Sequence, residues 1–329
     1  TDAGVVTAIP AGESNDGSDA VNPFTIALLD RADGHILWTS PDTFHTGPTP
    51  TPLTLSVTAD TIYLTTGNGH LAALNLQNGT QRWTYDWDTA VNPRLEDGFC
   101  TPNETTADQC TDRSVWAPFV AIQSDSVYIS DQRSFRLIAL DAANGTLRWN
   151  IDILDTIPGA EFLTPVVALD SGVAVMAGHF GATLDSYEPT LAIFSSESGE
   201  LVWQTQETIG APFASDGTTL FLSMASDKGT FVSALDGATG TRRWQSTVSG
   251  AVAAYYPESD QIAVWSEATL PVGINAETGE QTWTLDSGLT DCSLGFTTTG
   301  DGLYLCYRYD NSPSIIEIVP EALASPEAP

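Results

Sequence analysis

The chain has 329 residues, of which 42 are acidic and 11 basic, giving a formal net charge of −31. That balance excludes a nucleic-acid binder held by phosphate contacts and opposes attraction to anionic lipid. With 42% apolar residues, among them 9 Trp, 9 Tyr and 12 Phe, the chain can bury a large core. No apolar run approaches the ~18 residues of a membrane-spanning helix, so neither such a helix nor a signal peptide is predicted within it.

Along the chain, the first distinctive segment is Glu13-Ser14-Asn15-Asp16-Gly17-Ser18-Asp19. It is rich in oxygen ligands but lacks the ligand order of a calcium loop, and it reads as a solvated connection. From Asp30 onward one pattern dominates. A glycine is followed four positions later by tryptophan six times: Gly34/Trp38, Gly79/Trp83, Gly145/Trp149, Gly199/Trp203, Gly240/Trp244 and Gly279/Trp283. Four residues before each glycine stands a small polar residue, namely Asp30, Asn75, Asp141, Ser195, Asp236 or Asn275. An apolar strand precedes it, as in Leu71-Ala72-Ala73-Leu74 and Leu137-Ile138-Ala139-Leu140.

A second register interleaves with the first. Asp60, Asp125, Asp170, Asp216, Asp260 and Asp301 each stand just before a β-branched or aromatic run such as Ile62-Tyr63-Leu64 or Leu303-Tyr304-Leu305. Each unit therefore reads strand A, Asp turn, strand B, loop, strand C, Asp-x-x-x-Gly turn, strand D ending at Trp. Glycine supplies the positive φ of a tight hairpin, and Asp or Asn tolerates the neighbouring positions. Short strands at this spacing, with almost no helical period, mean antiparallel β structure.

The tryptophans recur about every 49 residues, and the length accommodates seven units. Unit 1 lacks strand A, and unit 7 lacks the Gly-x-x-x-Trp tail. Units of this size cannot bury both sheet faces alone, so they pack around an axis. The expected fold is an all-β β-propeller of seven four-stranded blades, with six or eight left open. It spans residues 1–320 as a single domain, with an insertion at 84–116 and a tail at 321–329 rich in Ala, Pro and Glu.

The tails resemble those of the quinoprotein-like, or PQQ-like, β-propeller family. The best copies run Ala139-Leu140-Asp141-Ala142-Ala143-Asn144-Gly145-Thr146-Leu147-Arg148-Trp149 and Ala234-Leu235-Asp236-Gly237-Ala238-Thr239-Gly240-Thr241-Arg242-Arg243-Trp244. The resemblance implies that the tail tryptophans dock between neighbouring blades, a role carried to Trp38, Trp83, Trp149, Trp203, Trp244 and Trp283. It also brings pyrroloquinoline quinone and calcium into question, since the family takes its name from quinone enzymes. Those enzymes are larger, usually eight-bladed, and many carry a disulfide between adjacent cysteines. No two cysteines are adjacent here. No cofactor is therefore expected, and a fold alone does not supply one.

The four cysteines fall into two local pairs, Cys100 with Cys110 and Cys292 with Cys306. Disulfides in an oxidising compartment are the expectation, each contributing ~3 kcal/mol by restricting the unfolded chain. Free buried thiols and a metal site are the alternatives, and zinc spacing is absent. The histidines, His35, His45, His70 and His179, form no short-spaced pair, and no nucleophile elbow or phosphate loop occurs. Carboxylate pairs such as Asp86/Asp88 and Asp152/Asp155 are expected by chance at this acidity.

Loop length singles out one face. The D-to-A and B-to-C connections share it, and three of them are long: Thr84 to Trp116, Ala11 to Pro23, and Gly178 to Pro189. Function concentrates on elaborated loops held by a rigid scaffold. Trp87, Phe99, Trp116, His179 and Phe180 map there, as do Arg94, Arg113, Arg133, Arg136, Lys228 and Arg308. These residues are candidates for a partner site with aromatic and arginine anchors. Alternatively, the aromatics pin the insertion to the blades and the arginines pair with nearby carboxylates.

The expected function is a non-catalytic, extracytoplasmic propeller that presents this face to a protein or envelope ligand. It is expected to be monomeric and tethered through a segment preceding Thr1. A quinone-dependent or carbohydrate-active enzyme using the axial channel is the alternative, and a structural spacer is a third reading.

Overall fold

The computed structural model describes residues 4–11, 23–45, 54–66, 69–87, 118–164, 166–180, 187–206, 209–226, 229–257, 259–266, 269–284, 303–307 and 313–317. The chain divides into two compact units, Thr1–Gln204 and Thr205–Pro329.

The first unit carries four antiparallel sheets. Sheet one contains β1 (Val5–Pro10), β2 (Pro23–Leu29) and β3 (Ile36–Thr39), with the short β4 (Phe44–His45) also on β2. By their order β1, β2 and β3 correspond to strands B, C and D of the repeat. Sheet two runs β5 (Thr54–Val57), β6 (Thr61–Thr66), β7 (His70–Asn75), β8 (Gln81–Asp86). Sheet three runs β9 (Phe119–Gln123), β10 (Ser126–Asp131), β11 (Arg136–Asp141), β12 (Leu147–Asp152). A single helical turn, α1 (Ile153–Thr156), follows it, with the Asp152 side chain accepting from Leu154 N at its N-terminus. In sheet four strand A is split into β13 (Phe162–Leu163) and β14 (Val167–Leu169), which pair with opposite ends of β15 (Gly172–Phe180). Strands β16 (Tyr187–Ser195) and β17 (Leu201–Thr205) complete it.

In the second unit, sheet five comprises β18 (Ile209–Ser215), β19 (Thr219–Ser226), β20 (Gly229–Asp236) and β21 (Arg242–Gln245). Sheet six comprises β22 (Ala251–Tyr256), β23 (Gln261–Ser266), β24 (Thr269–Asn275) and β25 (Gln281–Thr284). The hairpin of β26 (Leu303–Tyr307) and β27 (Pro313–Glu317) is the described part of sheet seven. The β-propeller expectation holds, with one sheet for each predicted unit.

The central strands read as continuous apolar runs because both faces of each sheet are covered. In β7, Ala72 and Leu74 pack with Ile62 and Leu64 against Ile26, Leu28 and Phe24 of sheet one. The alternate residues Leu71 and Ala73 pack with Tyr63 and Trp83 against Val127, Ile129, Ile138 and Leu140 of sheet three. A two-residue side-chain period sends neighbouring residues into different cores. Further cores lie between sheets three and four, around Tyr128, Trp149, Val175 and Phe194, and between sheets five and six, around Phe221, Val252 and Ile274.

The Gly-x-x-x-Trp tail joins sheets in a specific way. Trp38 Nε1 donates to Leu76 O at 3.0 Å, Trp83 to Ala142 O at 3.0 Å, Trp149 to Ser196 O at 3.0 Å and Trp244 to Ala276 O at 2.8 Å. Each acceptor belongs to the C–D turn of the following sheet. The indole then covers that turn's glycine: a Cβ on Gly79, Gly145, Gly199 or Gly279 would fall 2.5–2.8 Å from the tryptophan ring. These glycines are thus fixed twice over, by φ of +70° to +76° and by the neighbour's indole. Trp283 departs from the pattern. Its Nε1 donates to Gln261 Oε1 and its ring lies over Gly273, both in its own sheet. Trp203 is partly buried.

Arginines one residue before three of these tryptophans tie the strand to the turns beside it. Arg82 bonds Asp60 Oδ2 at 2.9 Å and Thr61 Oγ1 at 2.7 Å. Arg148 bonds Asp125, Ser126 and Asp141, and Arg243 bonds Thr219 and Asp236, all at 2.7–3.0 Å. These partners hold the Asp125, Asp141 and Asp236 carboxyls below their ordinary value, with the arginine hydrogen bond the leading cause. Asp60 is also lowered, first by Thr61 and then by Arg82. Among the described residues no helix is long and apolar enough to cross a membrane.

Candidate functional site

The loop-bearing end of sheet three is built on a turn whose sequence, Asp131-x-x-Ser134-Phe135, does not occur in the other units. Strand β10 ends in Asp131, which is 1% exposed. Its carboxylate accepts from Ser134 Oγ at 2.5 Å, from the Arg133 backbone N at 3.0 Å and from Trp87 Nε1 at 3.0 Å. A buried carboxylate requires such partners to offset its desolvation. The turn closes through Phe135, which takes φ 56° and is wholly buried. Left-handed backbone at an aromatic residue costs about 1–2 kcal/mol, and the packed ring offsets it. Phe135 O also accepts from Ile153 N at 2.8 Å, docking α1 against the turn.

That arrangement delivers Arg136 to an open groove of about 570 Å³ between the outer parts of sheets three and four. Arg136 Nη1 donates to Asn150 Oδ1 at 3.2 Å. Asp152, Asp155 and Thr156 line one side, while Glu200 and the apolar Leu201 line the other. Leu201 is 42% exposed and its neighbour Val202 is 47% exposed. The groove thus combines three carboxylates, one guanidinium and an apolar lip. It suits an extended basic and apolar segment better than a small molecule, since an open site cannot exclude water.

Of the partner-site candidates that lie among the described residues, Arg136 lines this groove, as do Asp152 and Asp155, a carboxylate pair that the sequence assigns to chance. Trp87 is 9% exposed and packs with Tyr63, Trp83 and Val127, its ring stacked on Tyr85 at 6.4 Å. With its N–H on Asp131, it links sheets two and three. Arg133 is partly buried in the Asp131 turn. His179 is partly buried too, and a Cβ on Gly159 would sit 3.1 Å from its Cε1. Arg94, Phe99, Arg113, Trp116, Lys228, Arg308, Cys100, Cys110 and Cys292 lie outside the described residues, as do Glu13–Asp19 and the side chains of Phe180 and Cys306. The disulfide and calcium-loop expectations therefore concern positions beyond the description.

Sequence reasoning missed Asp131, Ser134 and Glu200. Asp131-x-x-Ser134 ahead of a buried Phe135 is a local signal, visible once the turn's hydrogen bonds are known. Glu200 had no signal, because its role follows from where sheet four sits beside sheet three.

A family profile described as outer membrane protein assembly factor BamB matches residues 14–104, 87–209 and 187–301. No curated protein matches the chain. Among solved structures, the chain is similar to BamB from Moraxella catarrhalis, at 14% identity and TM-score 0.47, covering 92% of this chain and 83% of that one. The computationally designed protein Ika8 aligns at 13% identity and TM-score 0.52, covering 94% and 82%. Quinohemoprotein alcohol dehydrogenase from Comamonas testosteroni aligns at 17% identity and TM-score 0.47, covering 80% of this chain. This chain spans 52% of the dehydrogenase. These identities speak to fold. The three profile matches together span most of the sequence, and the chain belongs to the PQQ-like repeat family described as outer membrane protein assembly factor BamB.

Proposed function

We propose that the protein is a non-catalytic, extracytoplasmic scaffold that docks a protein partner of the cell envelope along the groove between sheets three and four. The observation that carries this reading is the groove itself: open, acidic, apolar at one lip, and braced by the buried Asp131 turn of sheet three. Membership of a family described by an envelope assembly factor supports the compartment and the class of partner. Asp152, Asp155 and Glu200 attract lysine or arginine on the partner, Arg136 pairs a carboxylate or backbone carbonyl, and Leu201 gives an apolar side chain a place to rest. The rigid sheets preserve the geometry, so little ordering entropy opposes docking.

Cross-linking in the native envelope tests this, comparing wild type with a variant carrying Arg136→Glu, Asp155→Lys and Glu200→Lys. Asp155 and Glu200 are exposed and Arg136 is only partly buried, so the fold should persist. A protein cross-linked by wild type and lost from the folded variant supports the groove. The same capture by both proteins overturns it, as would turnover of an alcohol by protein loaded with quinone and calcium.

A further inference from the structure

Six C–D turns share one backbone, so five of them serve as controls for the sixth. At the matching positions the turns read Asp30-x-x-Asp33-Gly34-His35, Asn75-x-x-Asn78-Gly79-Thr80, Asp141-x-x-Asn144-Gly145-Thr146, Ser195-x-x-Ser198-Gly199-Glu200, Asp236-x-x-Thr239-Gly240-Thr241 and Asn275-x-x-Thr278-Gly279-Glu280. In the second turn Asn78 Oδ1 accepts from Thr80 N at 3.1 Å. In the third Asn144 Oδ1 accepts from Thr146 N at 2.9 Å. Asp33 Oδ1 does the same for His35 N at 3.1 Å. A neutral amide therefore suffices for the turn, and neither the Asp33 charge nor the His35 imidazole is needed to fold it.

What these two residues add is chemistry. Asp30, Asp33 and His35 place one carboxylate oxygen each from the aspartates and one ring nitrogen within 4.8 Å of one another. Among the described residues they are the one group of three metal-ligating side chains so placed. Asp33 and His35 are exposed, and nothing stands within 4 Å of the Cβ position at Gly34. By contrast, the turns at Gly79, Gly145, Gly199 and Gly279 lie under a tryptophan ring.

We propose that the Asp30–His35 turn is a surface site for a borderline divalent cation such as Zn²⁺, ligated by Asp30, Asp33 and His35. An imidazole with two carboxylates selects Zn²⁺ or Cu²⁺ over Ca²⁺ and Mg²⁺, which prefer all-oxygen shells. Three protein ligands leave a fourth tetrahedral position for water or for a group on another molecule. His35 Nδ1 lies 2.6 Å from Asp33 Oδ1 in a hydrogen bond, so binding replaces that contact by ligation to a common ion, with the two atoms about 3.3 Å apart. Asp30 Oδ1 already accepts from Ala32 N at 2.8 Å, and its second oxygen remains for the ion. The site stands at the C–D end of sheet one and is independent of the groove at Arg136.

Zinc titration calorimetry on the whole chain, paired with histidine NMR, tests the assignment. His35→Ala and Asp33→Asn remove ligands, and Asn at position 33 preserves the turn as Asn78 and Asn144 do. His70→Ala is the control, because His70 makes an identical 2.6 Å contact with Asp86 but belongs to no group of three ligating side chains among the described residues. The expected result is one equivalent of zinc that shifts the His35 ring signals, weakened at least tenfold by either ligand variant and unchanged by His70→Ala. No stoichiometric binding up to millimolar zinc would overturn the proposal. So would equal affinity in wild type and His35→Ala, or loss confined to His70→Ala.

Discussion

The two ends of sheet three are built by opposite strategies. At the C–D end, Asp141, Gly145, Arg148 and Trp149 have counterparts in Asn75, Gly79, Arg82 and Trp83 of sheet two and in Asp236, Gly240, Arg243 and Trp244 of sheet five. The contacts there recur as well: indole on glycine, indole N–H on carbonyl, arginine on aspartate. At the other end the sequence Asp131-x-x-Ser134-Phe135 has no copy in the other units. Asp131 is held by a tryptophan from the neighbouring sheet, Phe135 adopts left-handed backbone, and a one-turn helix forms the wall of a groove. Repetition secures packing between sheets, and freedom from repetition leaves room for a site.

The sharpest way to break this comparison is to remove a repeated indole. Trp83→Ala should destabilise the first unit by about 3–5 kcal/mol, because Trp83 is 8% exposed and joins two sheets. Trp283→Ala should cost less, since its N–H partner lies in its own sheet. Urea unfolding followed by near-UV circular dichroism measures both, and equal losses would deny the clamp its role between sheets.

Glycine variants separate backbone conformation from indole contact. Gly34 and Gly145 have φ of +73° and +72°, yet only Gly145 lies under a ring. Gly34→Ala should cost about 1–2 kcal/mol from left-handed backbone. Gly145→Ala should lose a further ~1–3 kcal/mol as Trp83 is displaced. If the two losses match, the tryptophan gives way without cost and the glycine is there for φ alone.

At the opposite end, Asp131→Ala should cost about 1–3 kcal/mol by leaving the Trp87 and Ser134 donors buried without an acceptor. Its signature should be a change in Trp87 fluorescence without loss of the Trp83 contact. A variant that perturbs both equally would join the two ends into one cooperative unit.

The smallest expected effect concerns pH. Asp125 and Asp141 are held below their ordinary 3.8 by Arg148. A lowered folded value contributes stability that is complete above the unfolded value and fades as pH falls through the folded one. Arg148→Met should therefore weaken the fold slightly at pH 7 and not at all once both carboxyls are protonated in either state. Solvent and salt screen these exposed pairs, so the difference should shrink further at high ionic strength. A gap between variant and wild type that persists in strong acid would mean the arginine stem, not its charge, carries the effect.

Much of the fold could be read from residues because the same demand is written six times. Asn75 and Asp141 announce the turn, Gly79 and Gly145 its positive φ, and Trp83 and Trp149 the sheet that follows. The site was far less legible. Trp87 stands outside the repeat, which made it look like a surface anchor, but its partner Asp131 is 44 residues away. Glu200 belongs by sequence to a repeated turn and by position to the groove of the sheet before it. Pairings across such distances leave no periodic trace. Arg82, Arg148 and Arg243 could have been read together, since each directly precedes a tail tryptophan and follows the Asp of its unit's A–B turn by 22 to 27 residues.

The clamp between Trp83 and Gly145 also bears on how such chains lengthen. At four junctions one unit offers an indole forward and the next a glycine turn backward, with the same geometry each time. A gene segment encoding one whole unit, copied in tandem or lost, would leave matched halves at the new seam. Unequal recombination can thus alter the number of units without first inventing a contact, whereas a change of half a unit would strand an indole in water.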